Sequence, residues 1–106
     1  MNNDVRRILL SRTDRVGDLI LSTPAIATIR RNFPAAHVTI ACSRYNAIVV
    51  EGSRDLDAIE RVAPGTRPES VGARFAGVDL AIALAPNAAD MRLIAASRAG
   101  RPADGQ

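Results

Sequence analysis

The stretch that most constrains the fold is residues 7–33, RILLSRTDRVGDLILSTPAIATIRRNF. Its nearly continuous apolar run over Ile8, Leu9 and Leu10 predicts a strand that is buried on both faces. A charged segment follows, in which Gly17 favours a tight turn. After it, apolar residues recur at the three- and four-residue spacing of a helix. These residues therefore predict a strand, a turn and a helix in succession.

Pro24 lies inside the helical pattern and leaves two structures open. Either Thr23 caps a main helix whose first residue is Pro24, after a short separate turn, or a single helix bends at Pro24. In both cases Pro34 ends the helix.

The remaining sequence continues the alternation of strands and helices. Strands are predicted at residues 37–42, 58–62 and 78–84, and helices at residues 44–50, 68–75 and 88–99. This order predicts an α/β fold of three layers with a parallel sheet, Rossmann-like in style. Because the chain stops after a helix, where a further strand is expected, we expect residues 1–106 to be an incomplete domain.

The last helix is expected to begin after Asn87, which can cap it, and to end before Gly100. Its predicted apolar side consists of Met91, Ile94, Ala95 and Arg98.

Composition narrows the classes of partner. All 14 basic residues are arginines and the formal net charge is +3, which permits an anionic partner without requiring one. Aromatic residues make up only 3% of the chain, and the arginines are spread along it, which argues against a nucleic-acid surface.

The single cysteine, Cys42, lies in an apolar run and is expected to be a buried, inert thiol. Since His37 and Cys42 are the only soft metal ligands, a metal site is not expected.

The N-terminus has too short an apolar stretch for a signal peptide, and no apolar run has the length of a membrane span. The chain is therefore expected to be cytoplasmic.

The turn at residues 12–18, RTDRVGD, is the one place where the sequence indicates chemistry. Open parallel sheets bind ligands beyond the carboxyl ends of their strands, which is where this turn is expected. Gly17 stands alone, so neither the dinucleotide fingerprint GxGxxG nor the phosphate loop GxxxxGK is present. What the turn offers is two arginines and two aspartates.

Two roles are open for Asp18. It can accept backbone N–H bonds as the N-cap of the helix, or it can point into a cleft and take a proton as a general base. Arg12, at the end of the predicted strand, is the better candidate for contacting an anionic ligand, since its planar fork matches phosphate and carboxylate. Asp14 and Arg15 are more simply turn-forming residues or a solvated ion pair.

Residues 12–34, RTDRVGDLILSTPAIATIRRNFP, followed by HVTIAC, resemble the opening of the heptosyltransferases of glycosyltransferase family 9. These enzymes build the inner core of bacterial lipopolysaccharide. The shared features are a basic residue at the end of the first strand, a turn that ends in Gly-Asp, a Thr-Pro pair, and an arginine-containing helix that ends in Phe-Pro. Beyond Cys42 the resemblance is looser.

The resemblance implies a GT-B architecture, in which two Rossmann-like domains enclose the active cleft. In this family the N-terminal domain holds the sugar acceptor and the C-terminal domain holds an ADP-heptose donor. Transfer inverts the anomeric centre and needs no metal or other cofactor. Matched to the family motif, Asp18 is the base that deprotonates the acceptor hydroxyl, and Arg12 contacts the anionic acceptor. Asp14, Arg15 and Gly17 complete the expected substrate-binding turn.

On this basis we expect residues 1–106 to be part of the N-terminal, acceptor-side domain of such an enzyme, with the C-terminal donor domain absent. The expected partners are ADP-heptose, bound through that absent domain, and a lipopolysaccharide core acceptor. Nucleic acid and a transmembrane segment are not expected, and peripheral association with the inner membrane is left open. We expect the 106 residues alone to be inactive. The alternative is a non-catalytic module, left from a truncated glycosyltransferase, that binds an anion or a partner.

Overall fold

Strands and helices alternate along the chain, as the sequence predicts. The computed structural model describes residues 5–13, 16–84 and 87–98, and only the backbone of residues 16–18. The strands are β1 (Arg7–Arg12), β2 (His37–Ser43), β3 (Ala58–Val62) and β4 (Leu80–Ala83). The helices are α1 (Val16–Asn32), α2 (Pro68–Ala73) and α3 (Ala88–Arg98), and a 3-10 turn spans Ala47–Val49. Asp14, Arg15 and Gly100, which the sequence analysis singled out, lie outside the described residues.

Within the described residues, the four strands form one parallel sheet in the order β3-β2-β1-β4. The central strand β1 pairs with both neighbours up to its carboxyl end. Arg12 lies opposite Cys42 of β2, and Ser11 lies opposite Ala83 of β4. The chain passes from β1 to β2 on one side and reaches β4, on the other side, only later. The predicted Rossmann-like α/β fold is thereby confirmed.

Different helices cover the two faces of the sheet. On one face, Ile8 of β1 joins a buried cluster that includes Leu19 of α1. On the other, Leu9 joins a cluster that includes Val71 of α2 and Leu93 of α3. These residues are at most 1% exposed. Because neighbouring residues of a strand point to opposite faces, an unbroken apolar run is what a strand between two helical layers requires, and β1 is buried on both faces as predicted.

The helix α1 runs unbroken through Pro24, so the alternative in which Thr23 caps a separate helix is wrong. A proline inside a helix has no N–H to donate to the carbonyl four residues earlier, here that of Ile20. The hydroxyl of Thr23 takes over this role and donates to the Ile20 carbonyl oxygen at 2.8 Å. The hydroxyl of Thr28 bonds the Pro24 carbonyl oxygen in the same way, at 3.0 Å. Side-chain hydroxyls therefore supply hydrogen bonds around the proline.

The fourth strand begins later than predicted, because the side chain of Asp79 bonds the backbone at the start of β1. Its carboxylate accepts the backbone N–H groups of Arg6 and Arg7, each at 2.9 Å. The Asp79 N–H in turn donates to the Arg7 carbonyl oxygen at 2.9 Å. Asp79 thus ties the entrance of β4 to the entrance of β1, and regular pairing of β4 begins only at Leu80.

The predicted helix at residues 44–50 is reduced to the 3-10 turn Ala47–Val49, and α2 ends at Ala73 rather than at residue 75. Asn46, before the 3-10 turn, is fully buried and donates through Nδ2 to the Arg12 carbonyl oxygen at 3.3 Å. This contact holds Asn46 at the end of β1.

The helix α3 begins after Asn87, as predicted: the side-chain oxygen of Asn87 accepts the N–H of Asp90 at 2.8 Å. Of its predicted apolar side, only Ile94 packs against the buried cluster, and the rest of the prediction is wrong. Met91 is 54% exposed, and Ala95 and Arg98 are exposed as well. The residues of α3 that are buried are Asp90, Leu93 and Ser97.

No helix within the described part of the chain is both long enough and apolar enough to cross a membrane.

Candidate functional site

The candidate site lies where the carboxyl ends of β1, β2 and β4 meet. The connection from β1 enters α1 on the β2 side, while β4 flanks β1 on the other side. In open α/β sheets, this change of direction leaves a crevice beyond the strand ends in which ligands bind. The turn after Arg12 lies at this point.

Arg12 is held at both its backbone and its side chain. Its guanidinium Nη1 donates to the Leu84 carbonyl oxygen at 2.9 Å, which connects β1 to the end of β4. Its own carbonyl oxygen accepts Nδ2 of Asn46, which connects β1 to the segment after β2. Arg12 is half-buried. An arginine is therefore oriented at the edge of the sheet by contacts with the neighbours on either side.

A buried carboxylate bonds the residues on either side of Arg12. Asp90 has no exposed surface, and its Oδ1 accepts the Ser11 hydroxyl at 2.5 Å and the Thr13 hydroxyl at 2.9 Å. The Thr13 N–H lies 3.2 Å from Oδ1 and 3.1 Å from Oδ2. Nδ2 of Asn87 donates to Oδ2 at 2.7 Å. Every partner is a donor, which matches the acceptor-only chemistry of a carboxylate.

Asp90 was not among the predicted site residues, because the sequence pattern of α3 was interpreted as a single apolar side. The spacing of Asp90, Leu93 and Ser97 is that of one helix face, and an aspartate three residues after a capping asparagine was the available signal. Its partners could not be found in this way, since Ser11 is 79 residues away along the chain. Asn46 was missed for a similar reason: its contact with Arg12 spans 34 residues.

The remaining predicted site residues are described only in part. Gly17 and Asp18 are the second and third residues of α1, which begins at Val16. Asp18 therefore lies in the first turn of the helix rather than at its cap, and Gly17 lies in the helix rather than in the turn. Asp14 and Arg15 fall outside the described residues. The structure thus brings Arg12 and the first turn of α1 to one edge of the sheet.

The thiol of Cys42 lies beside this edge but is suited to a structural role. It is fully buried, and burial raises the pKa of Cys42 to about 11, although Arg61 opposes this effect. A thiol is reactive as its thiolate, so Cys42 is a poor nucleophile near neutral pH. Within the described residues, no three His, Cys, Asp or Glu side chains lie close enough together to hold a metal ion.

Sequence comparison and structure comparison give different results for this chain. No protein-family model matches it, and no curated protein matches it. Among solved structures, the crystal structure of the glycosyl transferase family 9 protein from Veillonella parvula DSM 2008 superposes with a TM-score of 0.79. The identity is 25%, and the match covers 91% of this chain. This chain resembles a family 9 glycosyltransferase.

The match spans 30% of the length of the Veillonella protein chain. The similarity to a family 9 glycosyltransferase therefore rests on the shared fold and on 25% sequence identity over the matched part.

Proposed function

We propose that this chain forms the acceptor side of a glycosyltransferase that transfers heptose from ADP-heptose to a lipopolysaccharide inner-core acceptor. The observation that carries the proposal is the structural similarity to a family 9 glycosyltransferase over 91% of the chain. The sequence RTDRVGD adds to it, because it leads from the end of the central strand into α1, at the edge where an open α/β sheet binds ligands.

In this proposal Asp18 is the general base. The positive end of a helix dipole favours negative charge in the first turn, so a carboxylate there is available as a proton acceptor. Asp18 takes the proton of the acceptor hydroxyl while that oxygen forms a bond to the anomeric carbon of the donor. The bond between the anomeric carbon and the phosphate oxygen breaks at the same time, and ADP leaves with the electron pair. Attack opposite the leaving group inverts the anomeric centre, and no step requires a metal.

Arg12 binds the anionic acceptor in this proposal, with Asp14, Arg15 and Gly17 as further substrate-binding residues. A planar guanidinium matches a carboxylate or phosphate with two parallel hydrogen bonds. The contact between Arg12 and Leu84 fixes the guanidinium before the ligand arrives. A preorganised group binds more tightly, because less conformational freedom is lost on binding.

Donor binding belongs to a second domain in this proposal. A base without a donor site supplies neither positioning of the reactants nor stabilisation of the leaving group, which account for much of the rate of such enzymes. We therefore propose that the 106 residues alone do not catalyse transfer, and that they work in the cytoplasm, with peripheral association at the inner membrane as an open alternative.

The test is a transfer assay with ADP-heptose and a lipid A–Kdo acceptor. It compares the 106 residues alone with the full-length protein, which here means a chain that also contains the proposed donor domain. We expect turnover only in the full-length protein. Asp18→Asn is expected to lower kcat by about 100-fold or more, which is the usual contribution of a general base. Asp55→Asn, at the other end of the sheet, serves as the control and is expected to retain activity. Full activity of Asp18→Asn would remove the base role, and turnover with another sugar nucleotide alone would remove the heptose assignment.

A second candidate function is a non-catalytic module that binds an anion, and the oriented Arg12 at the sheet edge favours it. The same assay distinguishes the two functions. A full-length protein that binds Kdo through Arg12 but transfers no sugar from any nucleotide donor would support the module.

A further inference from the structure

We propose that Asp90 is a positioning residue that holds Arg12 and the start of the β1–α1 turn in the geometry that binds the acceptor. This inference rests on the acceptor role proposed for Arg12. Asp90 is 0% exposed, so it does not contact a ligand in the crevice itself. It acts through the residues that it binds.

The first step concerns which residues Asp90 binds. Ser11 and Thr13 flank Arg12 in the sequence, and both donate to the same carboxylate. Residues that alternate along an extended chain point to the same side, so one buried group holds the residue before Arg12 and the residue after it. The backbone of Arg12 cannot shift or rotate unless these contacts break.

The second step concerns what holds Asp90. Its N–H donates to Oδ1 of Asn87, and Nδ2 of Asn87 donates back to its carboxylate, which makes a reciprocal cap at the start of α3. The same helix packs Leu93 into the buried cluster on this face of the sheet. The position of the carboxylate is therefore set by the fold rather than by the turn that it supports.

The third step concerns the guanidinium. Arg12 Nη1 donates to the carbonyl oxygen of Leu84, just after the end of β4. Asp90 holds the residues on either side of Arg12. The backbone of Arg12 therefore depends on the Asp90 carboxylate, and its guanidinium is held by the end of β4.

The fourth step concerns the choice of residue. Oδ1 accepts from the Ser11 hydroxyl and the Thr13 hydroxyl, while both carboxylate oxygens face the Thr13 N–H. An asparagine has the same shape, but its amide nitrogen would face a donor on one side of the cluster. A buried donor without an acceptor destabilises the folded state. We therefore expect the residues around Arg12 to move until their donors can bond water. Asp90→Asn therefore perturbs the turn with little change in side-chain volume.

The experiment uses the full-length protein and Kdo, the anionic sugar of the proposed acceptor, as the probe. Binding is measured by calorimetry for Arg12→Ala, Asp90→Asn and the double variant. The hydrogen-exchange rate of the Thr13 amide is measured without ligand. We expect each single variant to lower the affinity about tenfold, the loss typical of a charged hydrogen bond, and the double variant to lose no more than Arg12→Ala alone. We also expect faster exchange of the Thr13 amide in Asp90→Asn.

The control is Asp57→Asn. Asp57 is also a carboxylate that accepts a backbone N–H, from Val38 at 2.8 Å, but it lies at the amino ends of the strands. It is expected to lower stability without changing the affinity for Kdo or the exchange of the Thr13 amide. This control separates positioning from a general loss of stability.

The outcomes distinguish this inference from the function on which it rests. If Arg12→Ala binds Kdo normally, the acceptor role of Arg12 fails and the positioning role falls with it. If Arg12→Ala weakens binding but Asp90→Asn does not, only the positioning role is overturned. If Asp90→Asn does not fold, Thr13→Val decides, because it removes one hydroxyl donor and keeps the side-chain shape. Weaker binding of Kdo by Thr13→Val supports the inference, and unchanged binding overturns it.

Discussion

The guanidinium of Arg12 and the carbonyl oxygen of Leu84 lie 2.9 Å apart and join the carboxyl ends of two neighbouring strands. The backbone makes the same connection one residue earlier on β1, where the Leu84 N–H donates to the Ser11 carbonyl oxygen at 2.9 Å. The side chain of Arg12 thus continues the contact between β1 and β4 beyond their last backbone pair, Ser11 and Ala83. Arg12, which is proposed to bind the acceptor, therefore also helps to hold β1 and β4 together.

The dual role of Arg12 leads to a prediction for Arg12→Lys. A lysine keeps the charge but has no planar fork, so it cannot offer a carboxylate two parallel hydrogen bonds from a group that Leu84 holds in place. We expect Arg12→Lys to recover only part of the affinity for Kdo that Arg12→Ala loses, measured by calorimetry on the full-length protein. The matched control is Arg7→Ala, at the opposite end of the same strand, which is expected to bind Kdo normally. Full recovery by lysine would show that charge alone suffices.

The helix pair α2 and α3 gives a prediction about stability. A Cβ on Gly72 would overlap the Leu93 carbonyl oxygen and lie 2.9 Å from the Cβ of Ala96. Since the first obstacle is backbone rather than a mobile side chain, the helices would have to separate. We expect Gly72→Ala to lower the free energy of unfolding by about 1–3 kcal/mol, the usual range for overpacking. Urea denaturation measures this change.

The control for Gly72→Ala is Ala73→Ser, at the next residue of α2, which is exposed. It is expected to change the free energy of unfolding by no more than about 0.5 kcal/mol, because only helix propensity changes. Equal urea midpoints for Gly72→Ala and the unmodified protein would contradict the close packing of the two helices.

The sequence was sufficient to predict the order of elements, because each depends on local patterns. Ile8, Leu9 and Leu10 form an apolar run that only a strand between two layers can bury completely. Asn87 is a favoured cap residue and does cap α3. Boundaries were less predictable where a side chain competes with regular structure, as Asp79 does at the entrance of β4.

The buried polar cluster under the turn could not be predicted in this way. From sequence, Asp90 is predicted to be a surface residue of an amphipathic helix, since buried aspartates are rare. Its burial is possible only because Ser11 and Thr13 supply donors from the other end of the chain. A contact between residues more than 70 positions apart leaves no periodic pattern, so only the folded structure identifies it.

Cys42 gives a prediction at alkaline pH. Burial raises the pKa of its thiol to about 11, whereas the pKa of the thiol in the unfolded chain is about 8.5. The folded state therefore favours the protonated thiol, and this contribution to stability is complete below the unfolded pKa and is lost as the pH rises towards the folded pKa. We expect the difference in free energy of unfolding between the unmodified protein and Cys42→Ala to decrease between pH 8.5 and 11. A difference that stays constant over this range would contradict the raised pKa.

Asp57 gives the corresponding prediction at acid pH. The backbone N–H of Val38 holds the pKa of Asp57 below its ordinary value of 3.8, with a further contribution from Arg30, whose Nη2 lies 2.6 Å from the carboxylate. A lowered pKa means that the folded state favours the ionised form. Its contribution to stability is present above the unfolded pKa and is lost as the pH falls through the folded value.

We therefore expect Asp57→Asn to have a lower free energy of unfolding than the unmodified protein at pH 7. The difference should shrink steadily as the pH falls below 3.8. Urea denaturation at several pH values between 7 and the acid limit of folding measures it, and Asp55→Asn is the control because Asp55 contacts Arg30 through its carbonyl oxygen, which the substitution leaves unchanged. An equal difference at pH 7 and at the acid limit would show that the Asp57 carboxylate stabilises the fold by its shape rather than by its charge.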